Sequence, residues 1–231
     1  MKTIKIALLA ASAALALGGA AHAEDRPLGL TFNAGAATDY VFRGISQTNN
    51  KAEAFAGADI TVAKIGYAGV WLSNVDFLNG TRLESDFYAG VKPTLGPVAF
   101  DFGVIYYGYN PKPSGPDEAY TEWKALASVP VGPATLGVGY YHSPEFPFKT
   151  GEANYYEINA AAPIPNTKFS VSAALGKQEV VGPLDYTTWN AGVGYALTDK
   201  VGLDVRYWDT DQHNFGKIYE PKLVASVKAT F

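Results

Sequence analysis

Apolar and polar residues alternate with a period of two through most of the chain that follows residue 24. At the C-terminus, residues 223–231 read LVASVKATF, so one face carries Leu, Ala, Val, Ala and Phe and the other carries Val, Ser, Lys and Thr. This alternation is typical of β-strands with two unlike faces. We predict twelve strands, at residues 28–43, 52–62, 65–75, 82–92, 98–109, 118–129, 134–142, 153–162, 167–176, 185–197, 200–209 and 218–231.

The connections between these strands alternate in length. Short turns are predicted at residues 63–64, 94–97, 130–133, 163–166 and 198–199, and longer polar loops at residues 46–51, 76–81, 110–117, 143–152, 177–184 and 210–216. An up-and-down antiparallel meander places all short turns at one end and all long loops at the other. Barrels of bacterial outer membranes show this asymmetry, with short periplasmic turns and longer external loops.

Aromatic residues indicate which way the apolar faces point. Many lie next to the long loops, among them Tyr40, Trp123, Tyr156, Trp189 and Tyr207, and a sparser set lies near the short turns. Two aromatic belts around an apolar band are expected at the interfaces of a membrane. A soluble β-sandwich, the alternative, concentrates large aromatics in mid-strand. The pattern therefore favours a transmembrane, all-β, single up-and-down barrel.

The first 23 residues differ from the rest of the chain. Lys2 and Lys5 precede an apolar run at residues 6–17, and Ala21-His22-Ala23 matches a signal-peptide cleavage pattern. We predict a signal peptide at residues 1–23 and an outer-membrane barrel at residues 24–231. Charged residues make up 17% of the chain, below the roughly 25% of soluble domains, which fits a surface that faces lipid.

Composition also limits the chemistry. The chain has no Cys and 22 acidic against 18 basic residues, so thiol nucleophiles, thiolate metal sites and disulfides are excluded. A net acidic chain without a basic cluster is not suited to nucleic acid. No convergent nucleophile, base and orienting residue is visible. We therefore expect no catalytic residues, no enzyme activity, no cofactor and no metal.

If the apolar face meets lipid, the opposite face of each strand lines the lumen. The charged residues on that face would form a mildly cation-preferring lining, with Arg43, Lys124 and Arg206 as counter-charges at a constriction. The alternative is that these charges only pair across strands, because charges in a narrow interior need partners. The predicted lumen-lining residues are Asp39, Arg43, Glu53, Asp59, Glu84, Asp86, Lys92, Asp101, Glu122, Lys124, Glu157, Lys168, Asp204, Arg206 and Lys228.

Twelve strands lie between a filled barrel of eight and an open channel of sixteen or more. Inward-facing glycines such as Gly103 and Gly139 could leave space for water, or could make room for inward tyrosines such as Tyr107 and Tyr155. The sequence leaves an open pore and a packed interior equally possible.

Several segments resemble a known family. Residues 38–48 read TDYVFRGISQT, residues 69–77 read GVWLSNVDF and residues 83–90 read LESDFYAG, with looser similarity at residues 104–107 and 119–123. Together they resemble the TorF family of porins from proteobacterial outer membranes. The C-terminal Phe231 is similar to the signal that the barrel-insertion machinery reads. The resemblance implies a barrel in the bacterial outer membrane and gives no catalytic residue or solute.

These observations predict a porin that lets small hydrophilic solutes pass through its lumen without energy input. The expected partners are outer-membrane lipid and lipopolysaccharide, the barrel-insertion machinery and the solutes themselves. The alternative is a non-conducting barrel of structural or adhesive role that acts through its external loops.

Overall fold

The computed structural model describes residues 28–112 and 117–231, and the predicted signal peptide lies outside this part. Twelve long strands and three two-residue strands form within it. In chain order they are β1 Leu28–Ala37, β2 Val41–Phe42, β3 Ile45–Ser46, β4 Glu53–Val62, β5 Gly66–Asn74, β6 Leu83–Val91, β7 Thr94–Leu95, β8 Val98–Asn110, β9 Tyr120–Val131, β10 Ala134–Ser143, β11 Ala153–Pro163, β12 Phe169–Val180, β13 Tyr186–Ala196, β14 Val201–Thr210 and β15 Lys222–Thr230.

The twelve long strands form one closed antiparallel barrel. Each long strand pairs with the next along the chain, and the sheet closes where β1 pairs with β15. The last residue extends this seam, because Phe231 and Phe32 exchange two backbone hydrogen bonds of 2.8 and 3.1 Å. Closure leaves no unpaired edge among the long strands. The predicted twelve-stranded up-and-down barrel is therefore confirmed.

The apolar face of each strand lies on the outside of the barrel. Large apolar side chains are exposed all around the wall, and Phe32, Phe87, Val138 and Ile158 are each exposed over half or more of their surface. On β15, Val224 is buried, whereas Leu223, Ala225, Val227 and Phe231 on the other face are exposed. In water such a surface would be unstable, so the wall is suited to contact with lipid.

Connections at the two ends of the barrel differ, as the sequence predicts. The short turns occupy residues 63–65, 92–97, 132–133, 164–168 and 197–200, and the long connections described occupy residues 38–52, 75–82, 144–152, 181–185 and 211–221. The first turn is tight because Ala63 and Lys64 both take positive φ, at 49° and 66°. In the long loops the helical segments are single 3-10 turns, and no helix in the described residues is long and apolar enough to span a membrane.

The first long connection departs from the prediction. Strand β1 ends at Ala37 and not at residue 43, and residues 38–48 fold back into the barrel before the chain returns to the rim. Within this segment β2 and β3 pair as a small two-stranded sheet, with Val41 opposite Ser46 and Phe42 opposite Ile45. We call residues 38–48 the lumen hairpin.

Candidate functional site

Hydroxyl groups shape the base of the lumen hairpin. One carboxylate oxygen of Asp39 accepts hydrogen bonds from Ser46 Oγ at 2.6 Å and Thr48 Oγ1 at 2.7 Å. The Thr48 hydroxyl oxygen also accepts the backbone N–H of Tyr40 at 3.1 Å. All four residues are buried. Because these bonds join both arms of the hairpin, the chain turns inward after β1 and does not continue the strand.

The tip of the lumen hairpin is the two-residue turn Arg43-Gly44. Both residues take positive φ, at 49° and 85°, as the tight turns of β-hairpins require. Glycine adopts this conformation freely, whereas arginine pays about 1–2 kcal/mol for it. A Cβ added at Gly44 would lie 2.2 Å from Thr188 Oγ1 on β13 and 2.7 Å from Thr210 Cγ2 on β14. The tip therefore packs directly against the barrel wall at β13 and β14.

Arg43 binds the wall through a two-pronged ion pair. Its Nη1 and Nη2 donate to Oε1 and Oε2 of Glu122 on β9, both at 2.8 Å, and Nη1 also donates to Oε1 of Gln178 on β12 at 3.0 Å. The guanidinium carbon lies 4.8 Å from the ring centre of Tyr141 and 4.3 Å from that of Tyr155. Paired charge and aromatic faces are what a buried guanidinium needs.

This contact lies in a packed part of the lumen. Arg43, Glu122 and Gln178 are each 1% exposed and Tyr155 is 2% exposed, so solvent does not reach the contact. Of the two possibilities left open by the sequence, the structure shows a packed interior at this level. The packing comes mainly from the hairpin, and not from the tyrosines of the wall alone.

Other predicted lining residues lie on the wall and are held by neighbouring side chains. Glu84 accepts from Tyr40 Oη at 2.7 Å, Asp59 from Tyr88 Oη at 2.6 Å, Glu53 from Ser73 Oγ at 3.2 Å, and Glu157 from Tyr155 Oη at 3.0 Å and Asn159 Nδ2 at 2.9 Å. Asp86 is buried on β6 and Lys228 is half-buried on β15.

Two further ion pairs lie on the wall, away from the hairpin tip. Lys124 Nζ donates to Asp101 at 2.9 Å, and Arg206 Nη2 donates to Asp204 at 3.1 Å. The three bases predicted as counter-charges thus each hold an acid. These acids are each at most 8% exposed, and such buried pairs fix geometry more than they add stability.

Four residues of the predicted lining lie elsewhere. Asp39 and Arg43 belong to the hairpin and not to the wall, because β1 ends before them. Lys168 lies in the turn before β12, exposed, and donates to the Leu197 carbonyl of the next turn. Lys92 is also an exposed turn residue, although its Nζ lies 4.6 Å from the ring centre of Tyr67. The two turn lysines therefore stand at the rim of the barrel.

An aromatic cavity of about 380 Å³ lies on the long-loop side of the lumen hairpin. Phe42 and Ile45 of the hairpin form part of its lining, and the remaining walls come from the upper parts of the strands and the long loops. We call this cavity the vestibule. Its rim is tied together by ion pairs, since Asp76 contacts Lys51 at 2.7 Å and Arg82 at 3.2 Å. The hydrogen bond from Lys51 is the main cause that lowers the pKa of Asp76.

The lumen combines charged, hydroxyl and aromatic side chains. No group of three or more His, Asp and Glu side chains that could hold a metal ion occurs within residues 28–112 and 117–231. Most of the charged groups are held by a partner of opposite charge or by hydroxyl donors. The fold and its interior define a porin-like β-barrel.

Comparisons with known proteins support this class. The chain belongs to the family described as "Bacterial protein of unknown function (Gcw_chp)", whose model matches residues 21–231. The family model does not carry the name TorF, which stays a prediction. No curated protein sequence matches the chain.

Solved porin structures share the fold. A KdgM porin superposes with a TM-score of 0.63 at 7% identity over 87% of this chain and 99% of that chain. A KdgM porin in complex with disordered oligogalacturonate gives 0.61 at 7% identity, over 87% and 98%. A NanC porin gives 0.59 at 9% identity, over 88% and 99%. At these identities the likeness establishes the barrel fold alone.

The lumen hairpin was missed from the sequence. Alternation continues through Tyr40 and Phe42, so residues 38–43 read as an extension of the first strand. The available signal was the Arg43-Gly44 pair between Val41-Phe42 and Ile45-Ser46, because a glycine in such a position is typical of a two-residue hairpin turn. The partner Gln178 carried no signal of its own, because an isolated Gln on an alternating strand looks like any polar lumen residue.

Proposed function

We propose that this protein is an outer-membrane channel for small hydrophilic solutes, and that the lumen hairpin closes the channel in the state described here. The observation that carries the proposal is the hairpin itself. A polar barrel interior crossed by one latched segment gives a path that opens when that segment moves. A purely structural barrel has no need of a buried Arg held in a left-handed backbone conformation, which costs free energy.

The outer-membrane location rests on the wall and the termini. The exposed apolar band matches lipid, and the predicted signal peptide would direct export. The expected partners are outer-membrane lipid, lipopolysaccharide and the insertion machinery, which would read the exposed Phe231 at the end of the closing seam.

The charge of the interior favours cations. Buried acids outnumber buried bases. Besides the three acids that pair with bases, Glu53, Glu84 and Asp86 are also buried. A lining of this sign attracts cations and repels anions at close range. We therefore propose a channel for neutral and cationic solutes. A channel with this preference would not favour an acidic ligand such as oligogalacturonate, which is bound in the structure of one neighbour.

Reconstitution tests the proposal. Purified full-length protein in planar bilayers is expected to show brief openings, and a variant whose residues 39–50 are replaced by a short Gly-Ser linker is expected to stay open. A salt gradient across the bilayer should give a reversal potential of the sign that marks cation selectivity. Absence of conductance in both proteins, with both shifting gel mobility on boiling as folded barrels do, would refute a channel.

The closed interior also supports the second candidate, a non-conducting barrel that acts through its external loops. The same experiment separates the two functions. A structural or adhesive barrel stays silent even without the hairpin, and it loses a partner, not permeability, when the loop at residues 144–152 is shortened.

A further inference from the structure

The vestibule is a partly open cavity on the long-loop side of the lumen hairpin. Its volume of about 380 Å³ falls within the range of small-molecule sites. Because Phe42 and Ile45 of the lumen hairpin line it, any molecule that enters from the loop side rests on the closing segment. The chemistry of this lining therefore selects what reaches the hairpin first.

Aromatic rings make up much of the lining. Tyr107 and Tyr120 stack with their ring centres 4.3 Å apart, and Phe146 meets Tyr120 edge to face at 5.1 Å. Across the cavity Tyr186 and Tyr219 meet edge to face at 5.7 Å. Phe148, from the loop between β10 and β11, completes the lining and is 47% exposed. Such a wall favours flat or apolar bodies and attracts cations to the ring faces.

The charged side chains that line the vestibule are all acidic. The described lining residues include Asp76, Glu84 and Glu118 and no Lys or Arg. Asp76 is held by two basic side chains at the rim, whereas the contacts of the other two acids are with uncharged donors. Glu118 accepts from Asn79 Nδ2 and from Thr81 Oγ1, the latter at 2.6 Å. Its oxygens are occupied, so it acts on a ligand through its charge.

From this lining we infer that the vestibule binds small organic cations with an aromatic or apolar body, such as arylammonium ions. The cation lies on the ring faces with the carboxylates behind them, and the apolar body fills the remaining space. An anion of the same shape meets carboxylates, and the two rim bases, Lys51 and Arg82, are already bound to Asp76. The inference deepens the proposed function by naming a solute class for the same lumen, but binding in the vestibule does not require that the channel conduct.

Calorimetric titration of the full-length protein in nonionic detergent tests the inference. The probe is phenyltrimethylammonium, with benzenesulfonate and benzyl alcohol as anionic and neutral comparators, and each heat is corrected with protein-free micelles. We expect the cation to bind at least 10-fold more tightly than the sulfonate, with the neutral alcohol between them. Equal affinity for cation and sulfonate, or tighter binding of the sulfonate, would overturn the inference.

Three variants locate the site. Glu118→Gln removes one negative charge and is expected to weaken the cation about 5-fold or more while leaving benzyl alcohol unchanged. Phe148→Leu keeps apolar volume without a ring face and is expected to weaken the cation about 3-fold. Glu152→Gln, a loop carboxylate outside the vestibule lining, is the matched control and should have no effect.

Two results contradict this assignment. If Glu118→Gln and Glu152→Gln weaken the cation equally, the effect is that of overall charge and the vestibule is not the site. If Glu118→Gln fails to fold, as a missing gel shift would show, Phe148→Leu carries the test, because that side chain is half exposed and supports little of the fold. Full affinity in Phe148→Leu then refutes the site. Cation binding without conductance would leave the inference intact and refute the channel.

Discussion

The contact between Arg43 and Glu122 is the best place to test whether the lumen hairpin is a latch. Replacement of Glu122 by Gln keeps the shape of the side chain but leaves one carbonyl oxygen where two carboxylate oxygens each accepted at 2.8 Å. The amide N–H₂ of the new side chain would then face a guanidinium donor. The oxygen that Tyr107 contacts at 3.0 Å is also affected. The docked hairpin would hold a buried charge without its counter-charge.

The expected magnitude follows from the burial of both partners. Removing one member of a buried ion pair costs about 3–5 kcal/mol, because the remaining charge stays desolvated. Undocking returns Arg43 to water and relieves this cost. A change of about 3 kcal/mol raises the ratio of undocked to docked hairpin about 100-fold. The variant should therefore be open for a much larger share of time at the same open-state conductance.

Single-channel recording in planar bilayers measures that share directly. Asp101→Asn is the matched control, since it breaks the 2.9 Å wall pair with Lys124 without touching the hairpin. A double variant, Arg43→Met with Glu122→Gln, removes both charges and should close the channel again, because an uncharged pair of similar volume has no desolvated charge to release.

Three outcomes would refute the latch. Open probability in Glu122→Gln could equal that of the unchanged protein, Asp101→Asn could open the channel as much, or the double variant could be as open as the single one. Loss of the gel-mobility shift on boiling would mark a variant that failed to fold, and the double variant then supplies the comparison.

Three further predictions rest on other contacts. Gly44→Ala should also raise open probability without any change in charge, since its Cβ would collide with Thr188 and Thr210 on the wall and the left-handed backbone would be strained; unaltered gating would show that the tip is not docked. With the other tryptophans replaced by Phe, lipids with brominated chains should quench the fluorescence of Trp123, 58% exposed on the outer wall, and hardly that of Trp71, 7% exposed inside; equal quenching would contradict the orientation of the barrel. The contacts of Asp76 hold its pKa below the ordinary 3.8, so this carboxylate contributes stability at neutral pH that is lost only as the pH falls through the lowered pKa. Protease nicking of residues 46–52 should therefore be unchanged between pH 8 and 5, but faster in Asp76→Asn across that range.

The barrel could be predicted from the sequence because its signal is local. Each strand carries its own alternation, and a one-residue shift in register would turn an entire apolar face into the lumen. Observed strand ends lie within a few residues of the predicted ones at most positions, for example Ala134–Ser143 against 134–142. The connection lengths then fix the order of strands around the barrel.

The lumen hairpin could not be predicted because its stability is not local. Arg43 is 79 residues from Glu122 and 135 from Gln178 along the chain, and no property of either partner marks it as a contact of the hairpin. Alternation at residues 38–42 suits a strand as well as a hairpin arm. Only the closed barrel brings these side chains within reach and turns the segment inward.

The lumen hairpin follows the first strand directly, yet its contacts lie on strands that come much later in the chain. Arg43 needs β9 and β12, and Gly44 rests against β13 and β14. These contacts cannot exist until β9 to β14 have joined the sheet. The hairpin therefore docks only after most of the wall has formed. In a barrel that is still assembling, Arg43 lacks its partners on the wall. A docked hairpin therefore also indicates that the wall around it has formed.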